Sequence, residues 1–198
     1  MRTIWKNRFP LLLLAALVAA CGSGIEDRPG DGDGGSEGTS APTGRVAPGF
    51  ALETLEGGSL TLAELGEDRK AVLMNFWASW CEPCKEEIPV LIALHEEYRD
   101  RGFMVLGATV DDLPRDSRAF AAEMEVPYPS VITTPKMREE WALAPWLPTT
   151  LLIVDGRIVE EWVGPQTRDA FEYPIRVALG LAPPLQDVIE TAAGQPRD

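Results

Sequence analysis

The chain alternates between two kinds of hydrophobic pattern once it passes Val46. "FALETLEGGSLTLAEL" reads as two short strands around Gly57-Gly58 followed by a turn of helix. "AVLMNFW" (71–77) is an unbroken apolar run of strand length, the mark of a central strand buried on both faces. Residues 81–101 switch to helical spacing, with Ile88, Leu91, Ile92, His95 and Tyr98 on one side and Gly102 as the stop. Pro89 is expected to kink or re-cap that helix near its start. "FMVLGATV" (103–110) is a second buried strand, and "DSRAFAAEMEV" a helix with Asp116 as its N-cap. "YPSVIT" reads as a short strand and "KMREEWAL" as a short helix. "TTLLIVDGRIVEEWV" (149–163) is a hairpin turning at Asp155-Gly156, and "TRDAFEYPIRVALGL" a closing helix interrupted by Pro174. No internal repeat is visible. The order β–α–β–α–β–α–β–β–α predicts an α/β sandwich on a mixed sheet, with an antiparallel hairpin at its end.

The segment before Val46 follows different rules. "MRTIWKNRFP" is basic, "LLLLAALVAA" is apolar and ends in small residues, and Cys21 comes next. This predicts a signal peptide over 1–20, since the apolar run is about half the roughly 20 residues a membrane span needs. "LVAAC" resembles the lipobox of bacterial lipoproteins, which makes Cys21 the expected lipid-attachment residue and the first residue of the mature chain. Residues 22–45 are rich in Gly, Asp and Ser and hold one large aliphatic residue, Ile25. With Cys21 they read as a flexible tether spanning about 25–30 Å. The globular domain is expected over 46–182, and 183–198 as a loose tail.

Charge narrows the partners. The net charge is −13, and loss of the three cations in 1–20 deepens it to −16. Nucleic acid is excluded as a partner, because phosphate contacts need clustered Lys and Arg. Electrostatic adhesion to anionic lipid is disfavoured for the same reason, which leaves attachment to the acyl anchor.

The candidate chemistry lies in "NFWASWCEPCKEE" (75–87), with Cys81 and Cys84 two residues apart at a strand-to-helix junction. A structural zinc site needs about four ligands, and Cys81, Cys84 and His95 supply three at most. A disulfide closing so small a loop does little for stability. A cysteine at a helix N-terminus, by contrast, has a stabilised thiolate, and one a turn later can resolve a mixed disulfide. In an exported protein this spacing indicates a redox pair. Neither a cofactor nor a metal is expected. His95, Trp77, Trp141 and Trp162 read as packing groups, Asp111-Asp112 as a loop after a strand, and Trp80 and Trp146 as flanks of a peptide groove.

"FWASWCEPC" resembles the thioredoxin-fold active site, and residues 46–180 as a whole resemble the membrane-tethered ResA/TlpA-like thiol–disulfide oxidoreductases of the AhpC/TSA-redoxin group. "PGFALETLEGGSLTLAEL" matches that group's opening hairpin, "DDLPRDSRAFAAEMEVPYPSVI" its central insertion, and "WLPTTLLIVDGRIV" its cis-proline segment. The resemblance implies a thioredoxin-like fold with a cis peptide bond before Pro148. It also implies a role for Leu147 and Pro148, with Trp80, in holding a peptide substrate. Asn75 stands where thioredoxin itself has a buried aspartate, so a proton relay has to come from elsewhere; Glu87, three residues after Cys84, matches a glutamate of the ResA-like group. The competing role for Glu87 is a first-turn acid that complements the helix dipole.

Glu82 and Pro83 between the cysteines disfavour a thiolate, which points to a reductant. The expected activity is reduction of protein disulfides outside the cytoplasm, in cytochrome c maturation or a similar assembly step. The expected protein is a lipid-anchored monomer recharged by a CcdA- or DsbD-type membrane thiol transporter. Two alternatives are a peroxiredoxin-like peroxidase and a Sco-like copper assembly factor. "SWCEPC" lacks the Thr-x-x-Cys setting of the first, and the chain has no His after His95 for the second.

Overall fold

A computed structural model describes residues 44–67 and 69–188. The signal peptide, Cys21, the tether up to residue 43 and the tail from 189 lie outside the described residues. The central strand forms where the sequence places it, with β4 (Ala71–Trp77) buried at all seven positions. It pairs in parallel with β5 (Phe103–Thr109), which pairs in parallel with β6 (Ser130–Ile132). On its other side β4 meets β7 (Thr149–Val154) antiparallel, followed by β8 (Arg157–Val163) and β1 (Arg45–Val46), giving the order β1-β8-β7-β4-β5-β6. Arg45, assigned to the tether by composition, is therefore the first residue of the sheet's edge strand.

The turn at Asp155-Gly156 has positive φ at both residues (49° and 71°), the backbone of a two-residue hairpin whose twist matches its strands. A separate hairpin, β2 (Ala51–Glu53) with β3 (Ser59–Thr61), docks beside β6 through a bridge between Thr54 and Val131.

Side-chain alternation along β4 sorts the core into two faces. Val72, Met74 and Phe76 pack with Leu106, Leu151 and Ile153 under α1 (Leu62–Glu67) and α4 (Pro135–Glu140), which contribute Leu65 and Met137; Trp141 follows α4. Ala71 and Leu73 pack with Val105 and Leu152 under α2 (Glu82–Tyr98) and α5 (Arg168–Ala178), which contribute Leu91, Leu94, Phe171 and Ile175. A third cluster, Trp77, Cys81, Cys84, Ile88 and Phe120 of α3 (Pro114–Glu123), closes the end of the sheet that carries the cysteines. Gly107 on β5 is required by this packing. A Cβ there would overlap Ser130 Oγ and come within 2.9 Å of Trp77 Nε1.

Four local expectations are corrected. Helix α3 begins at Pro114, with Leu113 as N-cap and Asp116 inside the first turn, because proline at the first helical position presets φ and needs no N–H partner. Pro89 does not re-cap α2, which runs continuously from Glu82 to Tyr98, and Pro174 does not interrupt α5. Pro89 is exposed and Pro174 half-buried, away from the buried faces of their helices, so the carbonyls they leave unpaired are not sealed in the core. Residues 185–188 take up a helical turn, and Tyr173 Oη donates to the Pro183 carbonyl at 2.9 Å, so the start of the expected tail is ordered onto α5.

Candidate active site

The buried strand β4 ends at Trp77, and four residues later the chain enters α2. Cys81 is the N-cap of that helix (φ −85°, ψ 103°), and its sulfur accepts from the Cys84 amide at 3.3 Å. The two sulfurs are bonded, with Cα atoms 5.3 Å apart. Cys81 is thus set at the end of a 17-residue helix whose free amides favour negative charge on sulfur.

Both cysteines are nearly sealed, at 4% and 1% exposure for Cys81 and Cys84. What access Cys81 has is to a cleft. That cleft, of about 580 Å³, is lined by Cys81 and not by Cys84. Trp80 and Trp146 stand at its rim, 69% and 70% exposed, and Leu147 lies on its wall. The Leu147–Pro148 bond is cis, in keeping with the resemblance; Pro148 itself is not on the wall, and its carbonyl accepts from Gly164 N at 2.8 Å. Trp77, Trp141 and Trp162 are core residues, and His95 packs edge-on against Tyr128 while its Nδ1 accepts from Val105 N.

Glu87 is 1% exposed, on the face of α2 turned to the sheet. Asn75, on the same side of β4 as Leu73, donates to Glu87 Oε2 at 2.7 Å, and its cross-strand neighbour Thr150 does so at 3.2 Å. Gln166 N donates to Oε1 at 2.9 Å. Burial lifts the carboxyl to about 7, against the pull of the Gln166, Thr150 and Asn75 donors. A first-turn acid complementing the dipole is a poor description of such a group; Glu82 occupies that place.

Glu82 is exposed and paired with Lys85 at 2.8 Å. Its charge at the cysteines is therefore partly compensated, and the electrostatic contribution assigned to it from sequence is reduced.

Sequence reading missed Asp111. It is buried rather than a plain loop residue: its carboxylate accepts from Ser79 N and Ser79 Oγ at 3.1 Å, from Ser117 Oγ at 2.6 Å and from Thr109 Oγ1 at 3.2 Å. It ties the Trp77–Cys81 loop to β5 and α3. Ser and Thr spaced around a post-strand aspartate are the only signal the sequence carries for this. Thr150 and Gln166, as partners of Glu87, were also missed. Among the described residues no group of three or more His, Cys, Asp or Glu is placed to hold a metal ion.

The family model of the AhpC/TSA family matches residues 43–161. The chain belongs to the AhpC/TSA family. Its relatives include thiol-disulfide oxidoreductase ResA of a Bacillus cereus strain, 32% identical over 131 residues, which cover 65% of this chain and 74% of ResA. Thiol:disulfide interchange protein HelX of Rhodobacter capsulatus is 34% identical over 166 residues, 81% of this chain and 87% of HelX. Among solved structures, a thioredoxin-family thiol:disulfide interchange protein of Chlorobium tepidum TLS superposes with a TM-score of 0.63 at 27% identity, covering 71% of this chain and 98% of that one. This AhpC/TSA member shares the thioredoxin-like α/β fold of that neighbour, and its own Cys-x-x-Cys pair opens a helix.

Proposed function

We propose that the protein reduces disulfides of other proteins outside the cytoplasm, from a lipid anchor at Cys21, with Cys81 as nucleophile and Cys84 as resolving thiol. The observation that carries this reading is the Cys81–Cys84 bond at the N-terminus of α2, with Cys81 alone of the pair reaching the cleft. In the dithiol form the Cys81 thiolate attacks one sulfur of a substrate disulfide, and the other leaves as a thiolate that takes up a proton. Cys84 then attacks Cys81 of the mixed disulfide, the second substrate thiol departs, and the enzyme is left as the disulfide described above. Two electrons pass to the substrate.

Glu87 is assigned the proton of Cys84. Its carboxyl, near 7, is divided between its two forms at neutral pH, so it accepts a proton on resolution and returns one on recharging. Trp80 and Leu147 line the substrate seat, and Pro148 follows Leu147 from behind the wall, its place in substrate binding resting on the resemblance. Pro83, which has no N–H, supports the reducing direction. The tether, a CcdA- or DsbD-type transporter as electron donor, a monomeric state and a place in cytochrome c maturation belong to the same reading, on the strength of the resemblance. Among the described residues no helix is long and apolar enough to cross a membrane.

The test is a Cys84→Ala protein expressed with its leader in a bacterial host. The reading expects a mixed disulfide between Cys81 and a client protein, dissolved by reductant and absent from the Cys81→Ala, Cys84→Ala double variant. Failure to trap any partner through Cys81 contradicts it.

A further inference from the structure

The cleft wall carries one feature that disulfide exchange itself does not require. Arg138, on α4, lines the same cavity as Cys81, and its guanidinium reaches the Val110 carbonyl only at 3.5 Å from Nη1. It forms no ion pair among the described residues, although Lys136 and Glu140 on the same helix pair with each other at 3.5 Å. The other charged residue on the wall, Glu82, is already matched to Lys85. An acidic protein therefore presents an uncompensated cation inside the cleft that reaches its reactive sulfur. The rest of that wall is largely apolar, with Phe76, Val110 and Leu147 inside and the two exposed indoles at the rim.

From this charge pattern, and resting on the disulfide-reductase reading, we propose that Arg138 is a specificity residue that selects client segments carrying a carboxylate close to the cystine. The occupant is an extended peptide with a half-cystine at Cys81, an Asp or Glu side chain at Arg138, and apolar side chains against Trp80 and Trp146. A cavity of this volume spans on the order of 10 Å, or about three extended residues, so the carboxylate stands within about three positions of the half-cystine. A guanidinium suits this task because it stays charged and presents paired donors in one plane, and because a partly dry cleft screens it less than open solvent does. The neighbouring apolar groups add contact area without distinguishing charge, so selection between acidic and basic clients falls to Arg138.

The experiment uses the reduced full chain and oxidised model peptides, each with an internal Cys-x-x-Cys disulfide flanked by leucines. They differ only in one residue two positions before the first cysteine, which is Asp, Asn or Lys. Single-turnover exchange, followed by tryptophan fluorescence, is expected to favour Asp over Lys by about fivefold or more at low salt, and the ratio should shrink as salt is raised. Arg138→Gln should bring the ratio close to one, while Arg138→Lys should keep part of it. Equal rates for the three peptides in the unaltered protein overturn the proposal and leave the oxidoreductase reading standing, as does a preference that survives in Arg138→Gln or ignores salt. Absence of exchange with every peptide overturns the oxidoreductase reading and this proposal with it.

Discussion

At the scale of single residues, Glu87 separates a chemical role from a structural one. Its carboxyl is raised from 4.5 to about 7 by burial, so between those values the folded protein holds a proton that the unfolded chain has released. Stability from this group is fully present below about 4.5 and is lost as pH rises through 7, a change on the order of 3 kcal/mol. Glu87→Gln, which cannot ionise, should flatten the difference in denaturant stability between about pH 5 and about pH 8. The same substitution should remove an inflection near pH 7 from the rate of mixed-disulfide resolution and slow that step by about tenfold or more. A pH–rate curve identical to that of the unaltered protein would remove Glu87 from the proton path.

Glu87 is legible in the sequence as a residue three after Cys84 and through the resemblance to the ResA-like group. What makes it reactive is burial between α2 and the sheet, where the Asn75 side chain from β4 and the Gln166 amide from the loop before α5 hold it, and no local pattern announces that meeting. Asn75 departs from the aspartate of thioredoxin, yet it is buried and serves as donor to the acid that faces it.

At the scale of elements, the loop from Trp77 to Cys81 is a single turn closed by Cys81 N donating to the Ala78 carbonyl at 3.1 Å, and Asp111 anchors it to its neighbours. Bonds from Ser79 N, Ser79 Oγ, Ser117 Oγ and Thr109 Oγ1 converge on one buried carboxylate. Asp111→Ala leaves the Ser79 amide and the Ser117 hydroxyl without that acceptor, which should cost about 3 kcal/mol and slow attack by Cys81; Ser117→Ala should cost about 1 kcal/mol. Urea denaturation of the oxidised forms measures both. Equal stability for Asp111→Ala and the unaltered protein would show that the loop is held by something else.

Elements built from uninterrupted local signals are legible in the sequence. "AVLMNFW" coincides with β4, and Asp155-Gly156 turns the last hairpin. The start of α3 is not, because Pro114 rather than the polar Asp116 sets it. The prolines of α2 and α5 are weaker breakers than their residue type suggests. Both rest off the buried faces, where tertiary packing of the opposite side holds the helix together.

At the scale of the whole molecule, the sheet places its parallel strands so that β4 and β5 end at the reactive face, and β7 begins there with the cis-proline turn. The thioredoxin-like architecture is readable from element order and from the motif resemblance, whereas access is not: local sequence does not reveal that Cys81 borders a cleft and Cys84 does not. Membrane attachment is a separate, testable part of the account. Intact mass of the protein purified from a bacterial membrane should place an acylated Cys21 at the N-terminus; a mature chain beginning elsewhere, or lacking lipid, would contradict the anchor.

The most direct test of the central chemistry is thiol alkylation of the reduced protein, read peptide by peptide near neutral pH. Cys81 should react first and Cys84 should stay largely unmodified until denaturant is added, because of the two only Cys81 borders the cleft. Modification of Cys84 ahead of Cys81, or of neither in the folded state, would contradict the assignment of the nucleophile.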